Sequence, residues 1–424
     1  HKTQESVGYE LEHRFNDIWS FKQNYRFLHN KQTITYAGAD NGYAADGVSL
    51  LRTSYLNDGM VNSHTLDNQA KAKFSTGPIH HQVVIGLDYQ HIQFDHYFYG
   101  LSSGYTAPAI NVASPQYGQS IPYPDFMFGT SNAQTMKQLG VYAQDQLDIG
   151  KWSFLLGMRQ DWVDEDIASY KTGTTTSQPD RAFTWRLGGV YRFDNGIAPY
   201  ASYSTSFQPQ VGTGFNGDPF KPSKGEQYEI GIKFQPTGYD SFITVAAFHL
   251  TQQNVPTSDP AHPSFQVQTG EVRSQGMEIE GHASLTNNLQ LIASYTYTDL
   301  LNTKSNSSSL DKVPVGIPRN TATLWADYSL REGFLGGLQI GAGVRYIGGS
   351  YGDTANSFMT SPTTLLDLGL RYDLGRASSG LIGWTASLNA SNLLDKKYVA
   401  SCSGDTFCSW GQGRLVLASL KYQW

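Results

Sequence analysis

The sequence predicts an all-β chain, a transmembrane antiparallel β-barrel, on three observations. Seventeen segments alternate apolar with polar residues, the connections between them are short and long by turns, and aromatic side chains gather beside the short ones. Alternation with period two sends successive side chains to opposite faces of a strand, so each segment has one apolar face and one polar face.

Composition narrows the setting. The 424 residues include 26 Tyr, 21 Phe, 8 Trp and 43 Gly, and charged residues make up 16%, against about a quarter in ordinary soluble domains. Mean hydropathy is -0.39 and no apolar run of helix-spanning length occurs, which excludes a transmembrane helix and leaves membrane strands open, since only alternate residues of those meet lipid. A net charge of -6 argues against nucleic acid, which calls for a basic patch. No Pro/Ser linker or charge run divides the chain, so one architecture is expected over 1–424. The opening His1-Lys-Thr-Gln-Glu is not a secretory signal, and the true start is expected to lie upstream, removed by processing or truncation.

In order, the alternating segments are Ser6–Phe15, Trp19–Tyr36, Ser49–Thr76, His81–Tyr99, Gln134–Ile149, Trp152–Ala168, Ala182–Asp194, Ile197–Phe207, Glu226–Pro236, Ser241–Gln252, Phe265–Leu285, Leu289–Asp299, Asn320–Leu330, Leu338–Gly348, Thr363–Leu374, Leu381–Leu394 and Arg414–Trp424. Three show the faces clearly. Phe183, Trp185, Leu187, Tyr191 and Phe193 oppose Thr184, Arg186, Gly188 and Arg192; Leu338, Ile340, Ala342, Val344 and Tyr346 oppose Gln339, Gly341, Gly343 and Arg345; Leu366, Leu368, Leu370 and Tyr372 oppose Asp367, Gly369, Arg371 and Asp373. Small and charged residues on the second face suit a wet lumen as well as bulk solvent, so single strands fit a soluble sandwich equally.

The connections separate the two readings. Short turns such as Gly150-Lys151 and Asn195-Gly196 alternate with long loops such as Gly100–Ala133, Gly349–Pro362 and Asp395–Gly413. Outer-membrane barrels have short periplasmic turns and longer outer loops, whereas a soluble sandwich has no reason to sort loop length by parity. Phe15, Trp19, Trp152, Phe154, Phe193, Tyr239, Phe242 and the terminal Trp424 cluster near the short turns, the expected interfacial girdle.

Cys402 and Cys408 enclose five residues, a spacing that suits a disulfide in an outer loop at an oxidising surface. A metal site would need further Cys or a spaced His nearby. No nucleophile elbow, zinc-protease, P-loop or dinucleotide motif occurs, and Asp164, Glu165 and Asp166 read as solvated charge in a polar loop, so no enzyme is expected.

Four stretches carry a resemblance to a family: Ser223-Lys-Gly-Glu-Gln-Tyr-Glu-Ile-Gly-Ile-Lys233, Gly270-Glu-Val-Arg-Ser-Gln-Gly-Met-Glu-Ile-Glu280, Asn392-Leu-Leu-Asp-Lys-Lys-Tyr-Val-Ala-Ser401 and the terminal aromatic strand. They resemble the TonB-dependent ferric-siderophore receptors of the outer membrane, most closely the ferrichrome and ferrioxamine (hydroxamate) type. The resemblance implies a 22-stranded barrel, of which the plug, the TonB-recruiting segment and the first five strands are not in this sequence. It implies a ferric siderophore as ligand, TonB as partner, outer-membrane lipid and lipopolysaccharide around the barrel, iron carried only as a chelate with no resident cofactor, and possible use by phage or bacteriocin.

Aromatics of comparable loops hold the ligand in the resembled receptors, which implies Tyr36, Phe98, Tyr99 and Trp410 as ligand-binding residues. Phe98, Tyr99 and Trp410 are expected to face one vestibule. Between Gly100 and Ala133 the one charged residue is Asp125; such a mouth suits a neutral or weakly cationic hydroxamate better than a triply anionic catecholate. Haem is the nearest rival, since His80, His81, His91 and His96 are candidate iron ligands.

Overall fold

In the computed structural model the residues described are all but 39–41, 102–106, 129–130, 211–213, 216–219, 260–265, 403, 405–407 and 424. Phe265 and Trp424, assigned above to strand ends, lie outside them. The chain divides into two compact units, His1–Leu147 with Leu156–Trp185, and Asp148–Leu155 with Arg186–Trp424.

The first unit is built from β1 (Lys2–Arg14), β2 (Trp19–Gly38), β3 (Ser49–Thr76), β4 (Ile79–Gly100), the short β5 (Ala107–Asn111) and β6 (Phe126–Met127), β7 (Asn132–Ile149), β8 (Trp152–Ser169) and much of β9 (Thr175–Tyr191). Neighbours pair antiparallel, β1 with β2, β2 with β3 and β3 with β4. The β3–β4 register runs unbroken from Thr76↔Ile79 beside the Gly77 turn to Leu56↔Tyr99 at the far end.

The second unit continues with β10 (Ile197–Gln208), β11 (Ser223–Phe234), β12 (Ser241–Ser258), β13 (Gln266–Ser284), β14 (Leu289–Lys304), β15 (Asn320–Ser329), β16 (Leu338–Ile347), β17 (Thr363–Asp373), β18 (Trp384–Ser391), the short β19 (Val399–Cys402) and β20 (Cys408–Trp410), and β21 (Leu415–Tyr422). Successive long strands again pair antiparallel, and β18 pairs with β21 across the β19–β20 hairpin.

Setting aside the four short strands, seventeen long ones are present among the described residues, and each overlaps an alternating segment of the sequence, although β9 begins at Thr175 rather than Ala182, β12 runs on to Ser258 and β18 begins at Trp384 rather than Leu381. The faces are those the alternation predicts. Ile85, Leu87, Met158, Trp162, Phe183, Trp185, Ile230, Val344 and Leu420 are exposed apolar side chains on one side of their strands, as strands facing lipid require. The other side carries paired charges. Arg159 Nη2 meets Asp88 Oδ1 at 2.9 Å and its Nε meets Asp161 Oδ2 at 2.7 Å, while Tyr142 donates to Asp67 Oδ1 at 2.7 Å. In the second unit Arg345 grips Asp367 through Nε at 2.5 Å and Nη2 at 3.0 Å. Bidentate pairs of this kind satisfy charges that strand geometry has partly withdrawn from water.

One expectation is corrected. Asp164, Glu165 and Asp166 do not lie in a polar loop; they are within β8, where alternation exposes Asp164 and Asp166 and buries Glu165.

Candidate ligand-binding surface

Tyr36 lies two residues before the end of β2, and the β2–β3 register sets it directly opposite Tyr55. Their rings lie 5.2 Å apart between centroids. Tyr55 stacks on Phe98 of β4 at 5.6 Å, and Phe128 closes the group at 5.0 Å from Phe98 and 6.2 Å from Tyr55. Phe126 meets Phe128 edge-on, and Phe94 and His96 extend the stack down β4. Pairs of this geometry are each worth about 0.5–1.5 kcal/mol beyond the area they bury, which fixes the rings while leaving Tyr36 exposed.

Strand parity places this surface. Phe98 and Asp88 stand on the same face of β4, because the ladder between them has no bulge. The aromatic group therefore continues the polar face that carries the Arg159–Asp88 pair.

The segment after β4 holds Phe98 by its backbone. Ser131, fully buried, accepts from Phe98 N–H at 2.9 Å and donates to Phe98 O at 3.2 Å, while Phe128 N–H donates to the same carbonyl at 2.8 Å. Tyr170 N–H donates to Ser131 O at 3.1 Å, which brings in the end of β8. β5 and β6 fold this segment back onto β3 and β4, through Ser49↔Asn111 and Tyr99↔Met127. Tyr105, another aromatic of this segment, lies outside the described residues.

Tyr99 is next to Phe98 in one strand, so it is turned to the opposite face. There it stands with Tyr97 and Asp95. Tyr97 stacks on Tyr170 at 4.6 Å, and the Tyr170 hydroxyl donates to Asp95 at 2.5 Å. The expectation that Phe98 and Tyr99 face one vestibule fails for this reason. Tyr55, missed in the sequence, is the residue that joins Tyr36 to Phe98.

Trp410 belongs to the second unit. It ends the β19–β20 hairpin, paired with Val399, and is 73% exposed. Cys402 and Cys408 are directly opposed in the same hairpin and form a disulfide. Phe407, inside that loop, lies outside the described residues.

The histidines do not converge. His80 and His81 flank the Gly77 turn, where His80 bonds to Ser75 and His81 to Thr76 and Asp145. His91 and His96 lie farther along β4 on opposite faces.

Residues 1–393 match the family described as TonB dependent receptor-like, beta-barrel. The chain belongs to that family. It is therefore an outer-membrane chain of a receptor and transporter family, not an enzyme. It is 37% identical over its whole length to the ferrichrome outer membrane transporter/phage receptor of Escherichia coli K12, covering 58% of that protein. It is 35% identical over 98% of its length to the ferrioxamine B receptor of Salmonella typhimurium, again covering 58%. The chain thus spans little more than half the length of these relatives. Among solved structures, the siderophore receptor PiuA of Acinetobacter baumannii superposes with a TM-score of 0.82 at 20% identity, over 99% of this chain and 64% of PiuA. At that identity the likeness speaks for the fold.

Proposed function

We propose that the receptor containing this barrel chain binds a ferric siderophore of the hydroxamate class at its outer loop ends and imports it with energy delivered by TonB. The observation that carries the reading is the uncharged aromatic surface of Tyr36, Tyr55, Phe98 and Phe128, which continues the polar face of its strands. Aromatic walls suit the apolar skeleton of a neutral chelate, and a few hydrogen bonds orient it. The names of two relatives, a ferrichrome transporter and a ferrioxamine B receptor, support the same class. Iron enters as cargo inside the chelate, and no residue is assigned to hold it directly. Tyr36, Phe98 and Trp410 are the proposed contact residues, with Tyr55 added, while Tyr99, on the opposite face of β4, is left out of the contact set.

Tryptophan fluorescence quenching by a neutral ferric trihydroxamate, a ferric catecholate and haem tests the proposal. The trihydroxamate is expected to bind most tightly; preference for the catecholate or for haem would overturn it. Use of the same outer loops by a phage or bacteriocin is a second reading, supported by the phage-receptor name of the E. coli relative. Lipopolysaccharide and outer-membrane lipid are the proposed neighbours of the exposed apolar faces.

A further inference from the structure

The outer loops of the second unit are tied together by backbone and amide contacts. The Asn356 side chain accepts from Val313 N–H at 2.8 Å and donates to Val313 O at 2.9 Å, joining loops 305–319 and 349–362. Gly404 N–H donates to Gly352 O at 2.8 Å, joining loop 349–362 to loop 395–413. The last loop is braced from beneath by Asn392, which is 2% exposed. Its amide donates to Lys396 O at 2.9 Å and to Gln412 O at 3.0 Å and accepts from Lys396 N–H at 2.9 Å.

Between loops 349–362 and 395–413 lies a cleft of about 450 Å³. Lys396, Lys397, Tyr398 and Trp410 line one side, with the Cys402–Cys408 disulfide, and Phe358 and Pro362 line the other. Among the described residues no acidic side chain lines it and neither lysine has an ion-pair partner. Tyr398 is held by its neighbour: Gly411 N–H donates to Tyr398 O at 2.7 Å, and a Cβ at Gly411 would overlap the Tyr398 ring. Two lysines, with no carboxylate partner among the described residues, line the cleft together with Tyr398 and Trp410, a lining that suits an oxyanion on an apolar stem.

We infer that this cleft is a subsite for a carboxylate-bearing arm of the iron chelate. The inference rests on the receptor reading above and refines its ligand class. Lys396 and Lys397 supply charge-assisted hydrogen bonds to the carboxylate, and Trp410 and Tyr398 pack on the stem that carries it. A chelate with a free amine at that end is disfavoured, because like charges meet there.

The test uses the whole receptor purified in detergent, with citrate as the probe of the cleft. Citrate is expected to produce a saturable change in tryptophan fluorescence that is absent in Trp410→Phe and weaker at high salt. Affinity for citrate should drop at least tenfold in the double variant Lys396→Gln/Lys397→Gln. No saturable response, or unchanged citrate affinity in the double variant, overturns the inference; so does tighter binding of inorganic phosphate, which would point to a lipid phosphate as the natural occupant. A neutral ferric trihydroxamate titrated into the same preparations reports on the receptor reading separately. Its binding, expected to stay within threefold in the double variant, shows that the variant is folded. If wild-type receptor binds citrate and not the trihydroxamate, the hydroxamate reading falls while the cleft stands.

Discussion

The ring of Tyr55 stacks on the ring of Phe98, centroids 5.6 Å apart and planes 17° from parallel. The contact makes one surface of Tyr36, Tyr55 and Phe98 from three successive strands, and strand parity keeps Tyr99 off it. Truncating an aromatic that packs against a ligand costs about 2 kcal/mol or more at a hot spot. Phe98→Ala is therefore expected to weaken binding of a ferric trihydroxamate at least tenfold by fluorescence quenching, and Tyr99→Ala by less than threefold. Equal losses in the two variants would place the ligand at the strand edge instead.

The disulfide gives a chemical prediction. Cys402 and Cys408 face each other across the β19–β20 hairpin and are bonded, so a maleimide should label neither in folded receptor without reductant and both after reduction. By the loop-entropy account a bridge closing so short a loop contributes roughly 2 kcal/mol, felt locally as tighter holding of Trp410. Free reaction of both thiols in untreated, folded protein would refute the bridge.

What the sequence made legible follows from which features are local. Period-two alternation is local, so all seventeen long strands could be read. Short turns also fix register: once Thr76 faces Ile79 across Gly77-Pro78, counting back along both strands sets Asn57 opposite Phe98. The pairing of Tyr36 with Tyr55 is closed by the long loop 39–48, whose length leaves register undetermined, and Tyr55 was missed for that reason. β5 and β6 were missed because five and two residues are too few to show a period. Asn392 sits at φ 48° with its amide closing on Lys396 O, four residues on, and Gln412 O, twenty residues on, and no period in the sequence marks a residue whose partners are backbone carbonyls. Phe98 and Tyr99 are the instructive error, since alternation alone forbids two adjacent strand residues from sharing a face.

Trp325 tests the packing of the polar face in the second unit. Its indole lies over the backbone of β16 and β17, where a Cβ at Gly341 or Gly343 would overlap the ring and one at Gly369 would come within 3.3 Å of it. Gly341→Val should therefore destabilise the protein by about 1–3 kcal/mol, the usual cost of forcing extra carbon into a filled site. Trp325→Leu in the same protein should recover part of that loss. A urea midpoint unmoved by Gly341→Val would show that the indole moves aside at little cost.

The Asp353 loop carries a pH prediction. Asp353 accepts from Ser357 Oγ at 2.5 Å and from Ser357 N–H at 2.7 Å. These bonds, the Ser357 hydroxyl first, hold its carboxyl below the usual aspartate range. A depressed folded value means that the carboxylate stabilises the loop fully above the unfolded value of about 3.9 and loses that contribution as pH falls through the lower, folded one. Amide protection at residues 353–358 should thus be constant from about pH 5 to 8 and fall below about pH 4. Asp353→Asn should remove the acid-dependent part. The same acid dependence in Asp353→Asn would assign it to another group.

The last prediction concerns two strand edges. The residue pairing of β1 runs to β2 through all thirteen of its residues, from Lys2↔Gln32 to Arg14↔Ser20, and every one of them remains exposed. Val7, at 72%, is among the more exposed apolar side chains. β21 pairs with β18 from Leu415↔Ser391 to Tyr422↔Trp384, and its eight residues are likewise all exposed. The registers place β2 beside β1 and β18 beside β21. In lipid an unpaired row of N–H and C=O groups costs several kcal/mol per group, and an odd number of antiparallel strands closes only through a parallel seam. We therefore expect both edges to be paired, in the working receptor, with strands from outside this sequence, completing one barrel domain. Residues 1–424 expressed alone should fail to give a heat-modifiable, protease-resistant band from outer membranes, while the whole receptor gives one. A resistant band from 1–424 alone would mean that the seventeen strands close on themselves.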